Sequence, residues 1–259
     1  MKNRTMTINI PSYKRSNAKM STLKLFPNAR LWVSAFEYEK YRKNFPNVEI
    51  VKMPDSAQGL WSRARNYLLD HIDSDYFYIM DDDIQQICYM TGSKLYPIND
   101  TNKLEEICFN LGVLAEEWGC RMFGFNTNAQ PIAAPEFHPF ALNNPTTGPV
   151  SGFLKDNECR YDEAVNIKSD WDMAIQQADR YGKELRAEFL SYKAKINEGT
   201  GGSAEQRNNA IELEQLKRLR RKWGDDIVRL GPGVKWSELN SHSTTKELLP
   251  KVKLPIDGC

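Results

Sequence analysis

The sequence predicts an α/β protein with a mostly parallel central sheet flanked by helices, and three observations favour this class. Strand patterns alternate with helical patterns through the first third of the 259 residues, as in sheets built from βαβ units. Residues 76–80 are apolar throughout, which is typical of a strand covered on both faces. The second half is rich in Pro, Gly and Asn around residues 137–152, so we expect irregular structure there.

The composition excludes a strong overall electrostatic field, and it argues against the usual cysteine-based metal sites. The 35 Lys and Arg against 34 Asp and Glu give a net charge of +1, so a nucleic acid or an acidic membrane would have to bind a local patch. The five cysteines lack Cys-x-x-Cys spacing, which argues against zinc and for reduced thiols. No apolar leader or membrane span is evident. We therefore expect a cytoplasmic protein, in the host cytoplasm if it is encoded by a phage.

The first strand pattern, residues 6–10, runs into a basic loop that is rich in hydroxyl groups: Pro11, Ser12, Tyr13, Lys14 and Arg15. Such a loop is well placed to meet a nucleotide, because Lys and Arg neutralise phosphate and Tyr can lie against a base. A solvated turn explains the same composition equally well.

Two further strand patterns, 29–36 and 48–53, precede a helix over residues 59–70. Arg63 and Asn66 are three residues apart and share a face of this helix. Basic residues near a helix start are unusual unless an anion binds there, because the macrodipole favours acids. The helix leads into the apolar strand at residues 76–80.

Three carboxylates follow that strand: Asp81, Asp82 and Asp83. Adjacent carboxylates repel one another, so their position at the end of a buried strand indicates a bound cation. Ligands of open α/β sheets bind at this edge. The alternative is ordinary turn and capping chemistry, in which Asp accepts local backbone hydrogen bonds.

Together these segments resemble the GT-A glycosyltransferases over roughly residues 7–84, and more weakly to about 175. The opening Ile10–Arg15 is similar, more narrowly, to phage TET-associated glycosyltransferases, which add sugars to hydroxymethylated pyrimidines in DNA. The resemblance implies one GT-A-like domain over 1–259, with a nucleotide-sugar half over about 1–90 and an acceptor half over about 91–259.

The resemblance also implies site residues. Those bordering or supporting a UDP-sugar would be Pro11, Ser12, Tyr13, Lys14, Arg15, Arg63, Asn66 and Asp81. Asp81 and Asp83 would be the outer acids of an Asp-x-Asp motif that binds Mn²⁺ or Mg²⁺. Such an ion acts as a Lewis acid on the diphosphate leaving group.

The acceptor side is expected at a helix that starts near residue 169. GT-A enzymes usually carry an acidic pair at the corresponding position, whereas this chain has Ser169 followed by Asp170. Either Asp170 or Asp172 would then serve the acceptor hydroxyl, as a base in an inverting reaction or as a positioning group in a retaining one. Helix capping explains these acids as well.

Two segments complete the acceptor half. Residues 197–203 are rich in Gly and small hydroxyl residues, which suits a mobile loop over a diphosphate or a plain linker. Residues 204–223 predict a helix with acids early and five cations late: Lys217, Arg218, Arg220, Arg221 and Lys222. A solvated structural helix explains this gradient first, and a contact with DNA phosphates explains it second.

These observations predict a metal-dependent glycosyltransferase that moves a sugar from a UDP-sugar to a hydroxyl. The acceptor is expected to be 5-hydroxymethylcytosine or a related base in DNA, flipped out of the duplex. A saccharide or protein acceptor, or nucleotidyl transfer, keeps the fold but changes the reaction. A nucleotide- or DNA-binding module without catalysis, with a structural acidic cluster, is the alternative of another class.

Overall fold

One mixed sheet of ten strands organises the computed structural model, which describes residues 4–92, 94–130, 137–194 and 208–254. The spatial order is β3-β2-β1-β4-β9-β7-β10-β5-β6, and β8 pairs with β10. The strands are β1 (Met6–Pro11), β2 (Arg30–Ser34), β3 (Ile50–Met53), β4 (Tyr76–Met80), β5 (Ile84–Thr91), β6 (Lys94–Pro97), β7 (Met122–Asn126), β8 (Phe140–Ala141), β9 (Val150–Leu154) and β10 (Leu185–Ala194).

The first four strands are parallel neighbours, as the sequence predicts. β1 pairs with both β2 and β4, and β2 pairs with β3. β9 is antiparallel to β4 and to β7, after which β10 runs parallel to β7. The strands β3, β2, β1, β4, β7 and β10 therefore share one direction, and the predicted fold class is confirmed. The carboxyl ends of β1 and β4 meet at one edge.

Helices cover both faces of this sheet. They are α1 (Thr22–Leu25), α2 (Tyr38–Asn44), α3 (Trp61–His71), α4 (Thr101–Glu117), α5 (Ser169–Tyr181) and α6 (Asn209–Trp223). β4 shows why its sequence is apolar throughout: Tyr76 and Tyr78 pack into one core with α2 and α4, and Phe77 packs into the other with α3 and α5. None of the helices within the described ranges has the length and apolar character needed to cross a membrane.

The second half contains a third core of its own. Ala174 and Ile175 of α5 pack with Leu216 and Leu219 of α6 and with the chain that follows. In that chain β11 (Val228–Arg229) pairs with β12 (Lys251–Val252). The predicted helix over 204–223 is observed as α6 from Asn209. Residues 204–207 and the predicted loop at 197–203 lie outside the described residues.

Candidate active site

The loop after β1 is tied to the middle of the acidic cluster. Ser12 Oγ donates to Asp82 Oδ2 at 2.8 Å and lies 3.0 Å from the Tyr41 hydroxyl. The Arg15 guanidinium forms an ion pair with Asp82, and the Arg15 backbone N–H donates to Tyr41 at 3.0 Å. Since Ser12 and Asp82 are both buried, these contacts fix the loop against the end of β4.

Lys14 forms the reversal of this loop. Its φ of 57° lies in the left-handed region, which is uncommon for a residue other than glycine. The Lys14 backbone N–H donates to Glu37 Oε2 at 2.9 Å, which holds that conformation. Its ammonium lies 5.2 Å from the centre of the Tyr13 ring. The turn therefore presents an aromatic ring and a cation at the same edge.

The three aspartates divide into one inward and two outer side chains. Asp82 is 6% exposed and is satisfied by Ser12 and Arg15. The side chains of Asp81 and Asp83 remain 32% and 25% exposed. Asp82 and Asp83 lie in the turn between β4 and β5, and the bonds from Ser12 and Arg15 hold Asp82 inward. The outer pair is thus the part of the cluster that a ligand could reach.

The outer carboxylates lack sufficient compensating charge. Burial, followed by Asp81 and Asp82, raises the pKa of Asp83 to about 6. Burial also raises the pKa of Asp81, against the lowering effect of Arg65. The nearest approach of Arg15 to Asp83 is 3.8 Å. A cation at this position would relieve the repulsion and stabilise both ionised forms.

Asp81 and Asp83 suit a metal ion whose remaining ligands are supplied by a bound substrate and by water. In the described part of the chain, no group of three or more His, Cys, Asp or Glu side chains is arranged to hold an ion. Mg²⁺ at nucleotide sites is commonly held by one or two carboxylates, with phosphates and waters as further ligands. Two partly exposed aspartates match that donor set, whereas a site made wholly of protein ligands is not present in these residues.

Backbone contacts hold the acidic turn in place. The Thr22 hydroxyl donates to the Asp81 carbonyl at 2.6 Å and accepts from the Ile84 N–H at 2.9 Å. The Asp81 N–H donates to the Pro149 carbonyl at 3.0 Å. The turn between β4 and β5 is therefore braced from α1 and from the segment before β9.

Arg65 is a site residue that the sequence analysis did not select. Its side chain is 1% exposed, and Nη2 lies 3.3 Å from Asp81 Oδ1. The guanidinium lies 3.9 Å from the centre of the Trp61 ring, and Nη1 donates to the Tyr161 hydroxyl at 3.1 Å. Stacking and hydrogen bonding thus fix a buried cation against Asp81. The overlooked signal was a cation on the same helix face as Leu68, which is buried.

The two α3 residues that the sequence analysis did select have other contacts. Arg63 forms a two-pronged ion pair with Glu163, with Nη2 2.6 Å from Oε2. Both ends of the Asn66 amide bond the backbone of Tyr161, at 2.8 Å and 2.7 Å. These contacts fasten α3 to the 161–163 segment. The structure brings Arg65, rather than Arg63 or Asn66, to the acidic cluster.

On the acceptor side, the two predicted acids differ sharply. Asp172 is fully buried and accepts from Lys222 Nζ at 2.9 Å, Trp223 Nε1 at 2.7 Å and Gln176 Nε2 at 2.7 Å. It ties α5 to α6 and cannot reach a substrate without breaking that network. Asp170 is half-buried. Of these two acids, only Asp170 is therefore accessible to a ligand.

Tyr192 of β10 is buried within electrostatic reach of both Asp170 and Asp81. Burial raises the pKa of its hydroxyl, and the charges of Asp81 and Asp170 raise it further. The Gly148 N–H donates to Asp170 Oδ2 at 3.2 Å. A Cβ at Gly148 would lie 2.6 Å from the Tyr192 oxygen, and its φ of 85° also disfavours a side chain. Gly148 thus lets its own loop, whose N–H bonds Asp170, pass close to Tyr192.

Comparison with known proteins agrees with this geometry. A family model described as TET-associated glycosyltransferase matches residues 6–185. No curated protein sequence matches the chain. Among solved structures, residues 1–349 of S. aureus TarS are similar, with 11% sequence identity and a TM-score of 0.50, over 85% of this chain and 66% of that one. The chain therefore spans slightly less than two thirds of the TarS structure.

A second solved structure is glucosyl-3-phosphoglycerate synthase from Mycobacterium tuberculosis in complex with Mn²⁺, UDP and phosphoglyceric acid. It is 12% identical, with a TM-score of 0.48, over 98% of this chain and 90% of that one. At these identities the similarity concerns the fold alone.

Proposed function

Because the chain belongs to the TET-associated glycosyltransferase family, we propose that it transfers a sugar from a UDP-sugar to the hydroxyl of a hydroxymethylated pyrimidine in DNA, with Mn²⁺ or Mg²⁺ as cofactor. One observation carries the donor part of this proposal. Asp81 and Asp83, at the end of β4, stand beside the loop of Pro11–Arg15 at the end of β1. Carboxylates for a metal and cations for phosphate thus meet at one sheet edge.

At the donor site, Asp81 and Asp83 would hold the metal, and Arg65 would keep Asp81 ionised and correctly aimed. When bound, the metal supplies positive charge that stabilises the departing diphosphate. Tyr13 and Lys14, at the tip of the loop, would contact the nucleotide. Ser12 acts differently, because its hydroxyl bonds Asp82 and holds the loop in position.

At the acceptor site, Asp170 would accept a hydrogen bond from the attacking hydroxyl. In an inverting reaction it would take that proton as the oxygen bonds to the sugar carbon. The carboxylate is held by two backbone donors, Gly148 N–H at 3.2 Å and Trp171 N–H at 2.9 Å. These two bonds fix the orientation of the Asp170 carboxylate. Asp172, which is buried two residues later, bonds Lys222 and Trp223 of α6 and so holds the start of α5 in place.

A base in a duplex has to be flipped out before its substituent can react. Three aromatic residues, Trp61, Trp171 and Phe137, are candidates for stacking on a flipped base, and Phe137 is 84% exposed. Trp61 already carries the Arg65 guanidinium on one face, and Trp171 packs against the third core. Phe137 is therefore the most accessible of the three for a flipped base.

The test is a transfer assay with a mass readout. The protein is incubated with UDP-sugars and DNA that contains 5-hydroxymethylcytosine, with Mn²⁺ or with EDTA, and the digested nucleosides are weighed by mass spectrometry. We expect a hexose or pentose mass increase that requires the metal and the hydroxymethyl group. Asp83→Asn should abolish it. Asp73→Asn is the matched control, because Asp73 is 92% exposed and pairs with Lys155.

Each other outcome separates the alternatives. Release of UDP without any change in DNA mass would assign the activity to a saccharide or protein acceptor. Transfer of a nucleotide mass would indicate a nucleotidyltransferase. If no donor is turned over, the acidic cluster is structural and the protein is a binding module without catalysis.

A further inference from the structure

One flank of α6 carries a basic groove that lies outside the candidate active site. The groove encloses about 550 Å³ and is lined by Glu214, Lys217, Arg220, Arg221, Asp225 and Trp236. It includes three of the five cations that make residues 217–222 the densest basic run in the chain. The contacts of the five cations decide which of them are available to a ligand.

Three of the five are already paired. Arg218 forms an ion pair with Glu214, and Arg220 forms one with Asp225. Lys222 bonds Asp172, which is fully buried. These three cations are committed to the fold, and they neutralise both acids of the groove.

Lys217 and Arg221 remain. Neither forms an ion pair with any residue of the described ranges, and both are exposed. They are one helical turn apart, so their side chains lie on the same face of α6. The chain as a whole carries only +1, so affinity for a polyanion has to come from local cations such as this pair.

The groove wall is rigid. The Arg220 guanidinium lies 4.3 Å from the centre of the Trp236 ring while it also pairs with Asp225. Stacking and pairing together restrict this side chain. Lys217 and Arg221 therefore project beside a fixed wall and not from a freely moving loop.

The opposite flank of α6 is fastened to the acceptor side. Lys222 bonds Asp172, two residues from Asp170, and Arg218 Nη1 donates to the Ala164 carbonyl at 3.3 Å. A ligand on the basic flank would thus be held by the helix that bonds Asp172, two residues from Asp170 on α5. This connection links the groove to the acceptor substrate more directly than to the donor.

We propose that Lys217 and Arg221 bind the phosphate backbone of the DNA that carries the acceptor base. The inference rests on the proposed function, because it takes DNA as the acceptor. Phosphate contacts fix the position of a duplex without reading its sequence. The groove would therefore orient DNA on α6 while the flipped base reaches Asp170.

The test measures how DNA affinity depends on salt, by fluorescence anisotropy with a labelled hydroxymethylated duplex. Each phosphate contact contributes about 0.9 to the slope of log K against log salt concentration. Lys217→Gln together with Arg221→Gln should lower the magnitude of the slope by about 2. The double charge reversal to Glu should lower affinity further. An unchanged slope in the Gln variant would overturn the proposal.

A matched control replaces Lys43 and Lys103 by Gln. Both are exposed cations on other helices, α2 and α4, and this variant should keep the wild-type slope. Thermal unfolding verifies that each variant is folded. If the wild type transfers sugar to DNA but the groove variant keeps its slope, only this inference fails. If the wild type neither binds nor modifies DNA, the proposed acceptor fails with it.

Discussion

Replacing Asp83 by Asn is expected to stabilise the metal-free protein while it removes metal binding. The pKa of Asp83 is raised from 3.8 to about 6, and each pKa unit corresponds to about 1.4 kcal/mol. Ionisation of this side chain at neutral pH thus costs the fold up to roughly 3 kcal/mol. Asn removes that cost, which is already net of the attraction of Arg15 3.8 Å away, and the 25% exposure of the Asp83 side chain reduces it further. We expect a net gain of about 1–2 kcal/mol.

The sign of the pH dependence follows from the raised pKa of Asp83. The folded protein holds this proton more tightly than the unfolded chain, so the free energy of unfolding falls as pH rises from about 4 to about 6. The advantage of Asn should therefore be complete above pH 6. It should vanish near pH 3.8 and below, where Asp83 is protonated in both states.

Urea unfolding in EDTA, at pH 7.5 and at pH 4, measures the stability change. Calorimetry with UDP and Mn²⁺ at pH 7.5 measures binding of the metal complex. We expect the variant to be more stable than the wild type in EDTA but to show no binding of Mn²⁺ and UDP. If Asn at this position lowers stability in EDTA at pH 7.5, the repulsion inferred for the acidic pair is absent. Undiminished Mn²⁺ and UDP binding would remove Asp83 from the metal site.

Three further changes test the surroundings of the site. Arg65→Met should cost about 3 kcal/mol of stability, because it leaves Asp81 without its cation. The same variant should bind Mn²⁺ and UDP more weakly. Unchanged binding by a folded variant would contradict the role of Arg65. Lys222→Met should cost about 2–3 kcal/mol, because it leaves the fully buried Asp172 without its cation although Trp223 and Gln176 still donate to it. It should lower kcat and leave the KM for the UDP-sugar nearly unchanged, and a change in that KM alone would contradict the link to the acceptor side. Burial raises the pKa of Glu184 from 4.5 to about 8, so the free energy of unfolding of the wild type should fall by up to about 4 kcal/mol between pH 5 and 8. Glu184→Gln should flatten this pH dependence in urea unfolding. Parallel pH profiles of variant and wild type would contradict this role of Glu184.

The first half of the fold was predictable because its signals are local. The apolar run of β4 reports burial on both faces, and Tyr76 and Phe77 indeed enter different cores. The division of the three aspartates is less local, because Asp82 and Asp83 lie in the turn after β4, where strand alternation does not apply. A parallel sheet then brings the ends of β1 and β4 together without any further information.

The acceptor half was less predictable because its organisation depends on distant pairings. β9 enters the sheet between β4 and β7, and β10 pairs with three strands. No local pattern in these strands specifies such partners. Tyr192 of β10 was overlooked for that reason. Asp172 looked like a helix-cap acid, and its true environment depends on Lys222, fifty residues later.

Arg65 and the α6 groove show how charge should be weighed in such a chain. Five cations within residues 217–222 suggest a strong positive patch, yet three are neutralised, two by the nearby acids Glu214 and Asp225 and one by Asp172, fifty residues earlier. Conversely, Arg65 looks unremarkable in sequence but is a buried cation stacked on Trp61 beside Asp81. The density of cations along the sequence therefore overstates the positive field at residues 217–222 and understates the effect of Arg65. Because burial strengthens a charge interaction and pairing cancels it, the effective field at each site is set by contacts and not by composition.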